Sequence, residues 1–394
     1  MKIIGITHWR IPSEKTMAPY MMRVMEAFAR LPAGKAGEGA EVEFWAPRRR
    51  NTHELKTTDP FAYHTIEPNF KVRYLPVIDL MPQTAGRFGF YLMLGSFTLS
   101  VFFTMLFMRG RKNAVFYFFD LRDAFFAHLL TNKAFCEIHM YYRSSVDFIN
   151  RRGFKRMAGI IAATKPLRAA IRQDYSVPEE KVLHAPCGVN FERFGIDTPM
   201  REARKILGLP QDGKIILYVG HLFPVKGVDV LFDAHTGLRP DEKIYFVGGT
   251  DEDIEGFRKK WRDAGSPKNI VIAGRKPHQE IPLWLRAADI LSIPNTAKED
   301  AGSIESSPSK LMEYMASGVP IIASDVLGIR DVMDSNMGYF AEPDNAAAIA
   351  RAVHEIFANP QEAERRARAA REAAKLLSWE GRARSILGFI RTRA

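Results

Sequence analysis

The 394-residue chain is long enough for two or three domains with separate cores. With 46% hydrophobic and 26% charged residues it is not a disordered chain, and two cysteines, Cys136 and Cys187, cannot make a disulfide framework or a four-ligand zinc site. The net charge of +11 falls entirely in residues 1–195, the remainder being neutral overall, so a polyanion or an anionic membrane surface is the expected partner of the first half.

The low cysteine content suits a reducing, cytosolic compartment. The apolar start, residues 1–6, is too short for a secretory signal. Residues 1–7, 41–45, 71–75, 114–118, 134–138 and 160–163 read as strands separated by helices. Between the third and fourth of these lies an uncharged run of 21 residues, 88–108, bracketed by Arg87 and Arg109. As a helix it would be about 30 Å long, enough to cross a bilayer. Crossing would put two strands of one sheet on opposite faces of the membrane, so the run is not read as a transmembrane helix. Ser96, Ser100 and Thr104 form a narrow polar stripe on it. The run is either a helix buried between the sheet and its neighbours or one lying in the lipid interface. Basic segments at 109–112 and 151–156 favour the interface, where they would meet anionic headgroups. The aromatic run 116–119 reads as a core strand.

A boundary is expected near 195–212, where Pro199 and Leu209-Pro210-Gln211-Asp212-Gly213 bracket a short helix. Beyond it, strands at 214–219, 243–247, 269–273, 288–293 and 319–324 alternate with helix-length segments, the pattern of a parallel, doubly wound sheet. Gly220, Gly248, Gly274 and Gly318 stand at strand ends or just before strands, where tight turns need positive φ. Domains at 1–195 and 196–377, with a last helix at 378–394 returning to the first, are the expected organisation.

Two loops in the second half carry phosphate chemistry. In the segment from Glu305 to Pro320, Ser307 suits an N-cap and Pro308 the first helical position. That places Glu305 before the helix and Glu313 on its second turn. Backbone N–H groups of residues 306–309, which include Ser306 and Ser307, would join Lys310 in holding an anion. After strand 214–219, the loop Gly220-His221-Leu222-Phe223-Pro224-Val225-Lys226-Gly227 leads into a helix over 228–235. Lys226 supplies a point charge for phosphate there, and His221 a second donor. A nucleoside diphosphate bearing a sugar suits two such loops, with the carboxylates on its hydroxyls. His8, His128, His184 and His278 form no usable pattern.

Glu305-x7-Glu313 followed by Tyr-Met-Ala-Ser-Gly-Val-Pro, with Gly220-His221-x4-Lys226-Gly227, resembles the retaining GT-B glycosyltransferases of family 4, the glycosyl transferases group 1. Residues 287–294, Gly188-Val189-Asn190 with Arg193-Phe194, and Ser378-Trp379-Glu380 match the same pattern, which is specific over the second half and thinner over the first. The resemblance implies two Rossmann-like domains facing across a cleft, with no cofactor or metal and a nucleotide-diphosphate sugar as donor. It assigns Glu313 to the ribose hydroxyls, Glu305 to the donor sugar, Lys226 to the diphosphate, His139 to the transferred sugar and Arg275 to the neighbourhood of the base. Where the family more often has Arg, this chain has His221. In place of a Gly-rich loop after the first strand stands Thr7-His8-Trp9-Arg10-Ile11-Pro12.

The implied activity is transfer of a sugar to a glycan or lipid-linked acceptor at the inner face of a membrane, with no role for nucleic acid. A sugar phosphorylase or epimerase of the same fold, and a non-catalytic nucleotide-sugar-binding membrane adaptor, remain as alternatives.

Overall fold

The computed structural model describes residues 1–13, 15, 17–31, 40–51, 55–80, 82–139, 147–298 and 309–394, with backbone only at 82–85 and 147–149. It divides into two units, Met1–Ala185 with Trp379–Ala394, and Pro186–Ser378. The first holds 31 Lys and Arg against 17 Asp and Glu, a net +14, and the second 25 against 28, a net −3.

The first unit is built on a seven-stranded sheet in the order β3-β2-β1-β4-β5-β6-β7. Its strands are β1 (Lys2–Ile6), β2 (Glu41–Pro47), β3 (Lys71–Leu75), β4 (Ala114–Phe118), β5 (Ala134–Ile138), β6 (Gly159–Ala162) and β7 (Val182–His184). All neighbours pair in parallel. Such strands are covered on both faces and read as continuous apolar runs; β4, Ala-Val-Phe-Tyr-Phe, is buried at every position. Phe116 to Phe119 are core residues, as their sequence predicts. The three-residue β7 is too short to stand out in sequence.

The uncharged run is helical from Phe88 to Leu106, within a longer helix Pro82–Leu106 kinked at Gly86. Arg111 ends it by donating to the carbonyls of Met105 and Leu106 at 3.3 and 3.2 Å. Met93, Phe97, Val101 and Met105, four residues apart, enter the core against Trp45, Phe116 and Phe118. The polar stripe is absorbed locally: Ser96 accepts from Ile78 N–H at 2.9 Å, and Thr104 bonds back to the Ser100 carbonyl at 2.7 Å. Only 33% of the helix's most apolar window is buried, and Phe88, Tyr91, Leu99, Phe103 and Phe107 face solvent. Of the two readings of this run, burial between the sheet and its neighbours holds for one face of the helix and not for the other. Because β3 before it and β4 after it belong to one sheet, this helix does not cross a bilayer. The C-terminal helix, Trp379–Arg391, packs on the first unit, where the Phe389 ring lies against Phe135.

The second unit has a six-stranded parallel sheet in the order β10-β9-β8-β11-β12-β13. Its strands are β8 (Lys214–Val219), β9 (Glu242–Val247), β10 (Ile270–Gly274), β11 (Ile290–Ile293), β12 (Ile321–Ser324) and β13 (Tyr339–Ala341). The order reverses between β8 and β11, and ligands of doubly wound sheets bind outside the carboxyl ends of strands at such a point.

Candidate functional site

The loop after β8 starts at Gly220, whose φ is 146°. A Cβ there would lie 2.5 Å from Lys310 Nζ, so the missing side chain is what lets the ammonium settle on this turn. Lys310 lies in the first turn of the helix Ser309–Ser317. That helix is tied to the sheet by Tyr314, whose Oη accepts the Val219 N–H at 2.8 Å. The ammonium of Lys310 sits 4.0 Å from the centroid of the Tyr218 ring. Gly227 closes the loop at φ 67°, its Cα so near the carboxyl end of β11 that a Cβ would stand 1.7 Å from the Pro294 carbonyl oxygen. Lys226 is thereby held over the point where the sheet order reverses.

The charges of this cluster act on one another. Burial and the Lys226 ammonium push Lys310 from 10.5 down to about 7, with Glu313 opposing them. His221 is held below its usual value by burial, with Lys310, Lys226 and Arg275 adding to the effect and Asp253 opposing it. Its Nδ1 is buried without a hydrogen bond among the described residues and lies 3.9 Å from Asp253 Oδ2, while its ring stacks on Phe223. Asp253 is fixed by a capping box with Thr250 at the start of the helix Asp251–Asp263. His221, Lys226, Arg275 and Lys310, from three segments of sequence, thus share one field at the carboxyl end of β8, with half-buried Glu313 beside them. An anion entering this field would relieve a mutual repulsion already present.

Glu305, Ser306 and Ser307, together with Pro308, lie outside the described residues.

In the first unit, His139 follows β5, its Nε2 2.7 Å from Glu137 Oε1. Glu137 is fully buried and collects donors: the Tyr20 and Tyr117 hydroxyls, and Arg382 from the C-terminal helix at 2.6 Å. Burial alone would raise its pKa; Arg382 and His139 reverse that and hold the carboxyl well below the usual range. The Tyr20 ring meets the His139 ring edge-on at 4.4 Å. The sequence pattern singled out His139 but did not reveal Tyr20, Tyr117 and Arg382 around Glu137. No local motif joins residues 20, 117 and 382; only the fold does. The pattern also missed His8, which follows β1 and bonds through Nδ1 to buried Asp123 at 2.8 Å.

Residues 199–375 match the model of the glycosyl transferases group 1. These residues are a glycosyl transferases group 1 domain. The D-inositol 3-phosphate glycosyltransferase of Streptomyces avermitilis is 29% identical over 233 residues, 56% of this chain and 49% of that protein. The GDP-mannose-dependent alpha-(1-6)-phosphatidylinositol monomannoside mannosyltransferase of Mycolicibacterium smegmatis is 29% identical over 212 residues, 52% of this chain and 55% of its own. The chain spans about half the length of the curated relatives it matches. Over both complete chains the fold is similar to that of Anabaena HepE crystallised with UDP, at a TM-score of 0.74 and 14% identity. The α/β architecture is thus that of the GT-B glycosyltransferases, and the cationic cluster lies inside the group 1 domain.

Proposed function

We propose that the protein is a retaining glycosyltransferase that moves a sugar from a nucleotide-diphosphate sugar to a glycan or lipid-linked acceptor. The observation that carries this reading is the convergence of His221, Lys226, Arg275 and Lys310 at the carboxyl end of β8, with Lys310 pushed down to about 7 by burial and Lys226. Departure of a nucleoside diphosphate leaves an electron pair on the β-phosphate oxygen as the sugar C1–O bond breaks. Preorganised cations stabilise that charge without rearranging, the role a divalent metal fills elsewhere. Lys226 and Lys310 take the diphosphate, His221 and Arg275 support it, and Glu313 holds ribose hydroxyls.

Ser306 and Ser307 would donate N–H groups to the same anion and Glu305 would hold the donor sugar; His139, positioned by Glu137, is assigned to the transferred sugar by the family resemblance. The acceptor hydroxyl attacks on the face the phosphate leaves, and its proton passes to the departing phosphate oxygen. Glycosyltransferases on phosphatidylinositol-type acceptors among the relatives, the apolar outer face of Gly86–Leu106 and the net +14 of the first unit support work at the inner, anionic face of a membrane.

The test is a thermal-shift screen of UDP- and GDP-sugars in EDTA, followed by transfer assays on the stabilising donor. Stabilisation of the wild type and loss of transfer, with binding retained, in Glu305→Ala is expected. Full transfer by Glu305→Ala would refute the assignment of that residue, and binding without hydrolysis or transfer over a broad acceptor panel would make the protein a sensor or adaptor.

A further inference from the structure

The first unit contains a cavity of about 1290 Å³ that the donor chemistry touches only at His139 and its partner Glu137. Small-ligand pockets are commonly ~300–1,000 Å³, so this one exceeds what a single sugar ring needs. One part of its lining is Glu137 and His139; from there it runs between the long helix, the connection from β4 to β5, and the helix Asp147–Arg156. Its walls are mainly apolar, with Leu92, Leu99, Phe119, Phe126 and Met157 among them. A sugar would find few hydroxyl partners along these walls, whereas a hydrocarbon chain needs none.

The lining also reaches solvent in two ways. Tyr91 and Leu99, at 65% and 47% exposure, belong to the uncovered apolar face of the long helix, so cavity and face are continuous. Exposed Arg152 and Arg156 line it as well, Arg156 in contact with His128. Among the described residues neither guanidinium pairs with a carboxylate. Apolar walls ending in exposed guanidinium groups complement an amphiphile with an anionic head.

We propose that this cavity binds a phosphate-bearing lipid, its hydrocarbon chain between the long helix and the β4–β5 connection and its phosphate at Arg152 and Arg156. That such a lipid is the acceptor rests on the transferase reading; that it binds here does not. Gly95 supplies a clean probe, because it lines the cavity and a Cβ built on it meets nothing within 4 Å. A side chain there fills the cavity without displacing core atoms and replaces a poor helix former.

The experiment titrates the full chain, without nucleotide, with lysophosphatidic acid below its micelle concentration, and in parallel with monoacylglycerol of the same chain length and with inorganic phosphate. Saturable binding of lysophosphatidic acid is expected, weakened about tenfold or more by Gly95→Phe and by the pair Arg152→Glu/Arg156→Glu, a difference of at least about 1.4 kcal/mol. Monoacylglycerol should bind more weakly, and phosphate should not compete at equal concentration. Equal binding by Gly95→Phe, equal binding of monoacylglycerol, displacement by phosphate alone, or no saturable binding would each overturn the proposal. Nucleotide-sugar stabilisation of the same Gly95→Phe protein reports separately on the donor reading and stays at the wild-type value if only the lipid site is blocked.

Discussion

Lys310 offers a quantitative test of the anion site. In the unliganded protein its pKa is moved from 10.5 to about 7, roughly 3.5 pK units or, at about 1.36 kcal/mol each, on the order of 4–5 kcal/mol between its protonation states. That is an upper figure, since Lys310 keeps some solvent contact. The sign follows from a base whose folded pKa is depressed: the charged form is disfavoured by folding. The penalty is fully present below pH 7 and fades as pH rises towards 10.5. A diphosphate reverses the field and restores the proton. At pH 8 roughly one-tenth of free Lys310 is charged, so binding should take up about 0.9 proton, and affinity should fall about tenfold per pH unit from 7 to about 10.

Calorimetric titration with the stabilising nucleoside diphosphate, in buffers of different ionisation enthalpy at pH 8, measures the uptake directly. Lys310→Met should abolish uptake and pH slope together and, by removing a disfavoured charge, stabilise the unliganded protein at pH 6. Proton uptake near zero in the wild type, or unchanged uptake in Lys310→Met, would refute the reasoning.

Gly227→Ala combines a Cβ 1.7 Å from the Pro294 carbonyl oxygen with a left-handed backbone at φ 67°. It should cost about 1–3 kcal/mol for overpacking and about 1–2 kcal/mol for the backbone, read by urea denaturation, with nucleotide binding lost at the same time. Arg382→Gln leaves the buried Glu137 carboxylate without its principal counter-charge and should destabilise by about 3–5 kcal/mol at pH 7, with partial rescue by lysine. Because the folded pKa of Glu137 lies below its unfolded value of about 4.3, the stabilisation is complete above that pH and lost as pH falls through the folded value. Glu137→Gln should therefore flatten the acid limb of the stability profile. Flotation with vesicles should require anionic lipid, weaken as salt shortens the ~10 Å screening length at 0.1 M, and fall when Phe103 and Phe107 are changed to serine. Salt-independent flotation would remove the electrostatic part of that account.

What could be read from the sequence was what local pattern encodes. The strands at 114–118, 134–138 and 214–219 coincide with those observed, because parallel strands buried on both faces are short apolar runs bounded by turn residues; the edge strand 71–75 also coincides, although only Leu75 in it is buried. The Gly220–Gly227 loop and the helix carrying Lys310 and Glu313 were visible for the same reason: glycine, proline and lysine at fixed offsets describe a phosphate-suited turn. Periodicity could not say how much of the long helix is covered, since both of its faces are apolar and only the neighbours distinguish Phe97, buried, from Phe103, exposed. Nor could it assemble Tyr20, Tyr117, Glu137 and Arg382, which meet only because the C-terminal helix packs on the first unit, 245 residues from Glu137 in the chain.

The central claim is that the group 1 domain breaks a nucleotide-diphosphate sugar with retention, using fixed cations in place of a metal. Time-resolved proton NMR of donor turnover in EDTA tests it most directly, by following the anomeric proton of the first sugar product before it equilibrates. The account predicts product with the donor's anomeric configuration, formed without divalent metal and lost in Lys226→Ala. Inverted product, or turnover that appears only when a divalent metal is restored, would contradict it.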